Sequence, residues 1–186
     1  MASIITATVA SGLTQQADNS GVLQLASGTG NLVTIPSVTG TAMVSGNMPA
    51  FSAYPTTSVT IPNTTWTKLV LAGEEFDTAN AFDNATNYRF QPTIAGYYQV
   101  NGAVGFGFNS GWSVCAIRKN GSAIKFGSNP AIANANGASP IVSALVYLNG
   151  TTDYIELWVY QAQGTTQGVI SGVDTTYFQA CLSRTA

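Results

Sequence analysis

The residues that could do acid–base or metal chemistry here are few, and most are carboxylates. Four gather between Leu71 and Tyr88 as Glu74, Glu75, Asp77 and Asp83, while Glu156 and Asp174 lie far downstream. Hard oxygen ligands in a loop can hold calcium, but this stretch lacks the Asp-x-Asp-x-Asp-Gly spacing of a dedicated calcium loop. A solvated acidic loop with no resident cofactor is the expectation. Glu75 with Asp77, or Glu156 with Asp174, could in principle form a glycosidase pair. No period of a long solenoid supports that. Histidine is absent altogether, which removes the commonest general base, the commonest zinc ligand and every nucleophile that needs an imidazole partner. The inventory points away from an enzyme.

Two cysteines, Cys115 and Cys181, stand far apart with no second cysteine or histidine near either. Metal and redox motifs therefore have no support, and both read as small apolar strand residues rather than as a disulfide.

The elements around these residues follow from composition. The 186 residues are 45% hydrophobic and only 8% charged, with a net charge of -2, so the chain can bury a sizeable core yet offers no basic footprint for nucleic acid. Thr, Ser, Asn and Gln replace the missing charge. Together with 19 Gly and 10% aromatics, they favour strands and tight turns, and the prediction is an all-β protein. The first residues carry no basic leader, and no apolar run reaches the roughly 18 to 20 residues a bilayer requires. We expect neither export by a signal peptide nor membrane insertion.

Two textures divide the chain. Residues 1–48 hold no aromatic side chain and one charge, Asp18, and their short apolar runs, such as 22–25 and 32–35, bury too little to fold alone. We read them as an extended N-terminal β arm that docks or intertwines. From Met48 and Pro49 onward the aromatics arrive, and residues 49–186 read as an antiparallel sandwich. In 154–160, Ile155, Leu157 and Val159 alternate with Tyr154, Glu156, Trp158 and Tyr160; the first set is core, the second a candidate subunit contact. In 97–108, Tyr98, Val100, Val104, Phe106 and Phe108 share a face. Asn120-Gly121 is a type I′ hairpin signal. Residues 141–148 are apolar on both faces, so they form either a strand covered twice or one that lines an oligomer axis. The last strand, within 175–184, points Phe178, Ala180 and Leu182 inward. It should lie deep in its sheet and tolerate truncation poorly.

The order of these landmarks resembles the globular head of complement subcomponent one-q and its tumour-necrosis-factor relatives. Pro49-Ala50-Phe51-Ser52-Ala53 is similar to that family's first strand. Tyr88-Arg89-Phe90-Gln91-Pro92, followed by Gly96-Tyr97-Tyr98, is similar to its most recognisable stretch. Ile117 to Gly121, Ser143 to Leu148 with Asp153 to Leu157, and Thr176 to Leu182 follow in the same order, with Ala180 where the family has Gly. The resemblance covers residues 49 to 184 and implies a jelly roll that assembles as a tight homotrimer. It departs from the family in lacking a collagen-like stalk. Residues 14–25, Thr-Gln-Gln-Ala-Asp-Asn-Ser-Gly-Val-Leu-Gln-Leu, instead resemble a stretch of bacteriophage tail-fibre-like chains, which implies a virion protein.

On this reading the copies meet on Tyr98, Tyr147, Tyr154, Trp158, Tyr160 and Phe178. A ligand such as a host glycan or protein would meet loops carrying Asn109, Trp112, Asn134 and Gln163. The expected function is a non-enzymatic, trimeric virion component, a fibre tip or host-recognition knob whose arm binds other virion proteins. The alternative is a capsid decoration protein that cements the head.

Overall fold

A computed structural model describes residues 23–26, 32–35, 46, 48–107, 112–129 and 139–186. Most of the predicted arm therefore lies outside the described residues, as do Phe108, Asn109 and Asn134. The chain divides into two units, 1–42 and 43–186. In the first, β1 (Leu23–Ala26) pairs antiparallel with β2 (Leu32–Ile35), with Leu23 opposite Ile35 and Ala26 opposite Leu32.

The second unit is an antiparallel jelly-roll sandwich. Its strands are β3 (Ala50–Tyr54), β4 (Thr60–Ile61), β5 (Thr67–Lys68), β6 (Gly73–Asp77), β7 (Phe82–Asp83), β8 (Arg89–Phe90), β9 (Gly96–Ala103), β10 (Trp112–Lys119), β11 (Ser122–Asn129), β12 (Ile141–Leu148), β13 (Ile155–Ala162), β14 (Gln167–Gly168) and β15 (Tyr177–Thr185). One sheet runs β12-β9-β15-β3-β6; the other runs β11-β10-β13-β8-β7, with β5 also on β13. β4 and β14 form a separate short pair.

Alternation fills the space between the sheets. Tyr98, Val100, Phe178 and Leu182 from one sheet meet Ile117, Ile155, Leu157 and Val159 from the other, all buried. Phe51 sits at the centre of an aromatic cluster, stacked on Phe82 at 4.8 Å and on Phe90 at 4.5 Å and edge-on to Phe178 at 5.3 Å. Such pairs add about 0.5–1.5 kcal/mol each to the area they bury. The core face predicted for 154–160 is the observed one.

The turns follow their local chemistry. Asn120 and Gly121 both have positive φ, 52° and 80°, as a type I′ turn requires between β10 and β11. The second Asn-Gly works differently. Asn149 Oδ1 accepts the backbone N–H groups of Thr151, Thr152 and Asp153, while Gly150 takes φ 71° against the backbone of residues 93–95. Asp153 ties the two turns together by accepting from Asn120 Nδ2 at 2.7 Å and from the Asn149 N–H at 3.1 Å. Lys119 adds an ion pair to the same carboxylate at 2.7 Å.

Three expectations need correction. The acidic stretch is not a free loop, because Glu74, Glu75 and Asp77 lie on the edge strand β6, paired with β3. Most of the remaining charges stand on strands as well. Only Cys115 is a buried cysteine; Cys181 is exposed, because its position on β15 alternates with inward-facing Ala180 and Leu182. Residues 141–148 are not covered twice: β12 is an edge strand with Ile141, Leu145 and Tyr147 open to solvent.

Candidate functional site: two faces of the sandwich

The outward face of β12, β9 and β15 is built in cross-strand rows fixed by register. Tyr147, Tyr97 and Arg184 form one row; Leu145, Gln99 and Cys181 the next; then Ser143, Asn101 and Gln179; then Ile141, Ala103 and Tyr177. Arg184 is the one charged residue in these rows. Ile141 and Leu145 are 61% and 56% exposed, on adjacent strands with Tyr97 and Tyr147, whose rings lie 5.4 Å apart. Between them runs an uncharged hydrogen-bonded cluster: Gln99 Nε2 donates to Ser143 Oγ at 2.9 Å, and Ser143 Oγ donates to Asn101 Oδ1 at 2.8 Å. Phe76, at the edge strand, borders a shallow hollow with Gln99, Asn101, Gln179 and Cys181. Within the described chain this face is open, apolar at Ile141, Leu145, Tyr97 and Tyr147, and poor in charge.

The outward face of the opposite sheet is organised around tryptophan. Trp66, just before β5, packs against Phe126 of β11 at 5.8 Å and Tyr160 of β13 at 5.6 Å. These two rings flank β10, so Trp66 lies over that strand, which accounts for the burial of Val114 and Ala116 on an outward-facing register. Trp112 meets Tyr160 edge-on at 5.4 Å. The Arg118 guanidinium sits 4.0 Å from the Trp158 ring centroid and 5.4 Å from that of Trp66. Its Nε has no hydrogen-bond acceptor among the described residues, and the two indole faces stand in for one. Glu156 accepts from Trp158 Nε1 at 2.8 Å and pairs with Lys68 at 3.2 Å.

The remaining polar groups are structural in geometry. Asp83 accepts the backbone N–H groups of Ala85, Thr86 and Asn87 and the Asn87 side-chain amide. The Thr86 N–H and the Asn87 amide lead in drawing its pKa down to about 2. Burial works against ionisation of Asp153, but the donors Lys119, Asn120 and Asn149 outweigh it and hold the carboxyl below its usual range. Glu74 moves the other way, raised by burial and by the neighbouring Asp77. Glu75 accepts from Ser52 Oγ at 2.7 Å. No group of three metal-ligating side chains occurs among the described residues.

The structure separates the predicted contact residues. Tyr98 and Phe178 have no exposed surface at all: their register points them between the sheets, so neither can meet another copy. Tyr98 spends its hydroxyl on the Ile94 carbonyl at 2.7 Å, and burial pushes its pKa up to about 12. Tyr154, Trp158 and Tyr160 lie on the tryptophan-bearing sheet, engaged within the chain; Tyr154 carries the Arg89 guanidinium 4.3 Å from its ring. Tyr147 alone stands on the open β12-β9-β15 face. Of the predicted ligand loops, Trp112 and Gln163 come together at one end of the β10–β13 ladder, where Trp112 pairs with Ala162. Sequence reasoning missed Trp66, Arg118 and Phe126, as well as the exposed pair Leu145 and Tyr97.

No family model and no curated protein matches the chain. Solved structures do. The fold is similar to that of murine APRIL at pH 5.0, with TM-score 0.58 and 10% identity over 73% of this chain and 98% of that one. It is similar to Eiger TNF from S. frugiperda, with TM-score 0.57 and 7% identity over 75% and 93%. It is also similar to the phage PRD1 vertex protein P5, with TM-score 0.54 and 15% identity. That last match covers 95% of this chain and 90% of the other, and so reaches into residues 1–42. The sandwich shares its jelly-roll fold with these structures.

Proposed function

We propose that this chain is a non-enzymatic structural protein of a bacteriophage particle. It forms a homotrimer through the outward face of β12, β9 and β15 and is displayed at the particle surface as a fibre tip or host-recognition knob. Residues 1–48 attach it to other virion proteins. The observation that carries the assembly is the open face itself: rows of exposed Ile141, Leu145, Tyr97 and Tyr147 around an uncharged amide and hydroxyl cluster. Burying such a face between copies desolvates almost no charge. The likeness to a phage vertex protein over nearly the whole chain supports the virion reading.

Light scattering of the purified protein tests the assembly, with an expected mass three times 19.3 kDa; a stable monomer would overturn it. The name of the PRD1 protein also favours a second reading, a capsid decoration protein, because it places that relative at a vertex. Electron microscopy of particles separates the two. Many copies over the head mean cement, and a few projecting copies mean recognition.

A further inference from the structure

We propose that the tryptophan-bearing face of the β11-β10-β13 sheet binds an uncharged saccharide chain, its pyranose rings stacking on Phe126 and Trp112. This rests on the surface-display reading, in which the opposite sheet is covered by copies and this one stays open.

All three tryptophans of the sequence, Trp66, Trp112 and Trp158, lie on this one face with Tyr160 and Phe126. The rings are held before any ligand arrives. Trp66 is wedged between Phe126 and Tyr160, Tyr160 is braced by Trp112, and Arg118 clamps Trp158. Rigid aromatic surface of this kind costs little conformational entropy on binding. The two ends of the array are its open parts: Phe126 is 62% exposed and Trp112 48%. Phe126 stands opposite Ala116, four residues along β10 from Trp112, so the two rings are roughly 13 Å apart along the strand. A short run of pyranose rings spans that distance.

Charge selects the class of ligand. Lys68 and Glu156 neutralise one another, and the Arg118 guanidinium is spent on two indole faces. Among the described residues, a phosphate-bearing or strongly anionic partner would find no free cation on the outward register at the centre of this array; Lys125, next to Phe126 in sequence, pairs with inward-facing Ile117. A saccharide offers what the face can use, an apolar C–H face for the rings and hydroxyls for neutral polar neighbours. Ser128 is exposed on the same register as Tyr160. Gln163 follows β13 beside Trp112, but its Nε2 is buried, so the exposed Ser128 is the neutral polar group of this face.

The test uses the full chain and three probes, the linear hexasaccharides of glucose, galactose and N-acetylglucosamine, read by tryptophan fluorescence and calorimetry. We expect saturable binding of at least one. It should weaken tenfold or more in Trp112→Ala and in Phe126→Ala, and stay unchanged in Val173→Ala, an exposed position on neither face, with each variant's fold checked by circular dichroism. No binding of any probe by the wild type, including the case in which the face serves a protein partner instead, would overturn the proposal. So would binding undiminished in the Trp112→Ala, Phe126→Ala double variant. Light scattering on the same samples keeps the two readings apart: a trimer that binds no sugar sinks this inference alone, and a monomer that binds sugar sinks the assembly alone.

Discussion

Tyr97 and Tyr147 face one another across the β9–β12 ladder, their ring centroids 5.4 Å apart, both on a sheet face that nothing in the described chain covers. Within one copy the pair has half its surface in water. In the proposed trimer a second copy would seal the rings from above.

Leu145, in the row beside that pair, is therefore the most direct handle on assembly. Leu145→Asp places a carboxylate where copies would meet, and a desolvated unpaired charge costs several kcal/mol. Light scattering should show monomer, while the far-ultraviolet spectrum stays that of the wild type because the residue is already exposed in the protomer.

Trp158 should behave in the opposite way. Trp158→Ala removes the ring under Arg118 and the donor to Glu156, for a loss of about 1–2 kcal/mol in urea denaturation. Trimer mass should persist in this variant and in Trp158→Arg. Loss of the trimer in either would return the subunit contact to this sheet.

The two thiols report the same geometry chemically. Cys115 is fully buried and its pKa is pushed up to about 12 by that burial, so a disulfide reagent that needs thiolate should leave it untouched until the chain unfolds. Cys181 is exposed on the open face. It should react readily in the Leu145→Asp monomer and several-fold more slowly in the trimer.

Acid should loosen the turns before the sheets. Asp83 titrates near 2 in the fold against about 3.9 in an unfolded chain. Its ionised form therefore stabilises the fold above about pH 4, and that contribution is lost as pH falls toward 2. Asp153, also lowered, acts in the same direction. Melting temperature should fall through this window in the wild type and fall less steeply in Asp83→Asn, which keeps one acceptor but no charge.

Gly127 tests where the two sheets close on each other. A methyl group there would collide with the Ile141 carbonyl, so Gly127→Ala must push β11 away from β12, at about 1–3 kcal/mol. Gly107, where a methyl group meets nothing among the described residues, is the matched control and should melt as the wild type does.

Much of this was readable from short-range pattern. Ile155, Leu157 and Val159 announced their inward face, Asn120-Gly121 its turn, and Phe178, Ala180 and Leu182 their burial, because period-two alternation and positive φ are local properties. What alternation cannot say is which outward face stays open. Tyr154, Glu156, Trp158 and Tyr160 looked like a subunit contact, yet Trp66, nearly a hundred residues earlier, reaches over the neighbouring strand and helps satisfy that face within the chain. Tyr98 and Phe178 stand among the expected contact aromatics although the same alternation turns them inward, and their register makes them core. Glu74, Glu75 and Asp77 looked like a loop because carboxylates are poor strand formers; an edge strand tolerates them, and there they discourage edge-to-edge pairing.

β15 is third of five in its sheet, between β9 and β3, though it comes last among the described strands. Until it is made, β3 and β9 have no common partner, and Phe178 is missing from the cluster around Phe51. A nascent chain on the ribosome thus holds most of a sandwich it cannot close, with unpaired strand edges exposed. Its folding waits on a contact of the largest sequence separation in the sheet, a slow step by topology. A chain cut before residue 182 should therefore aggregate rather than fold as a shorter version of the protein.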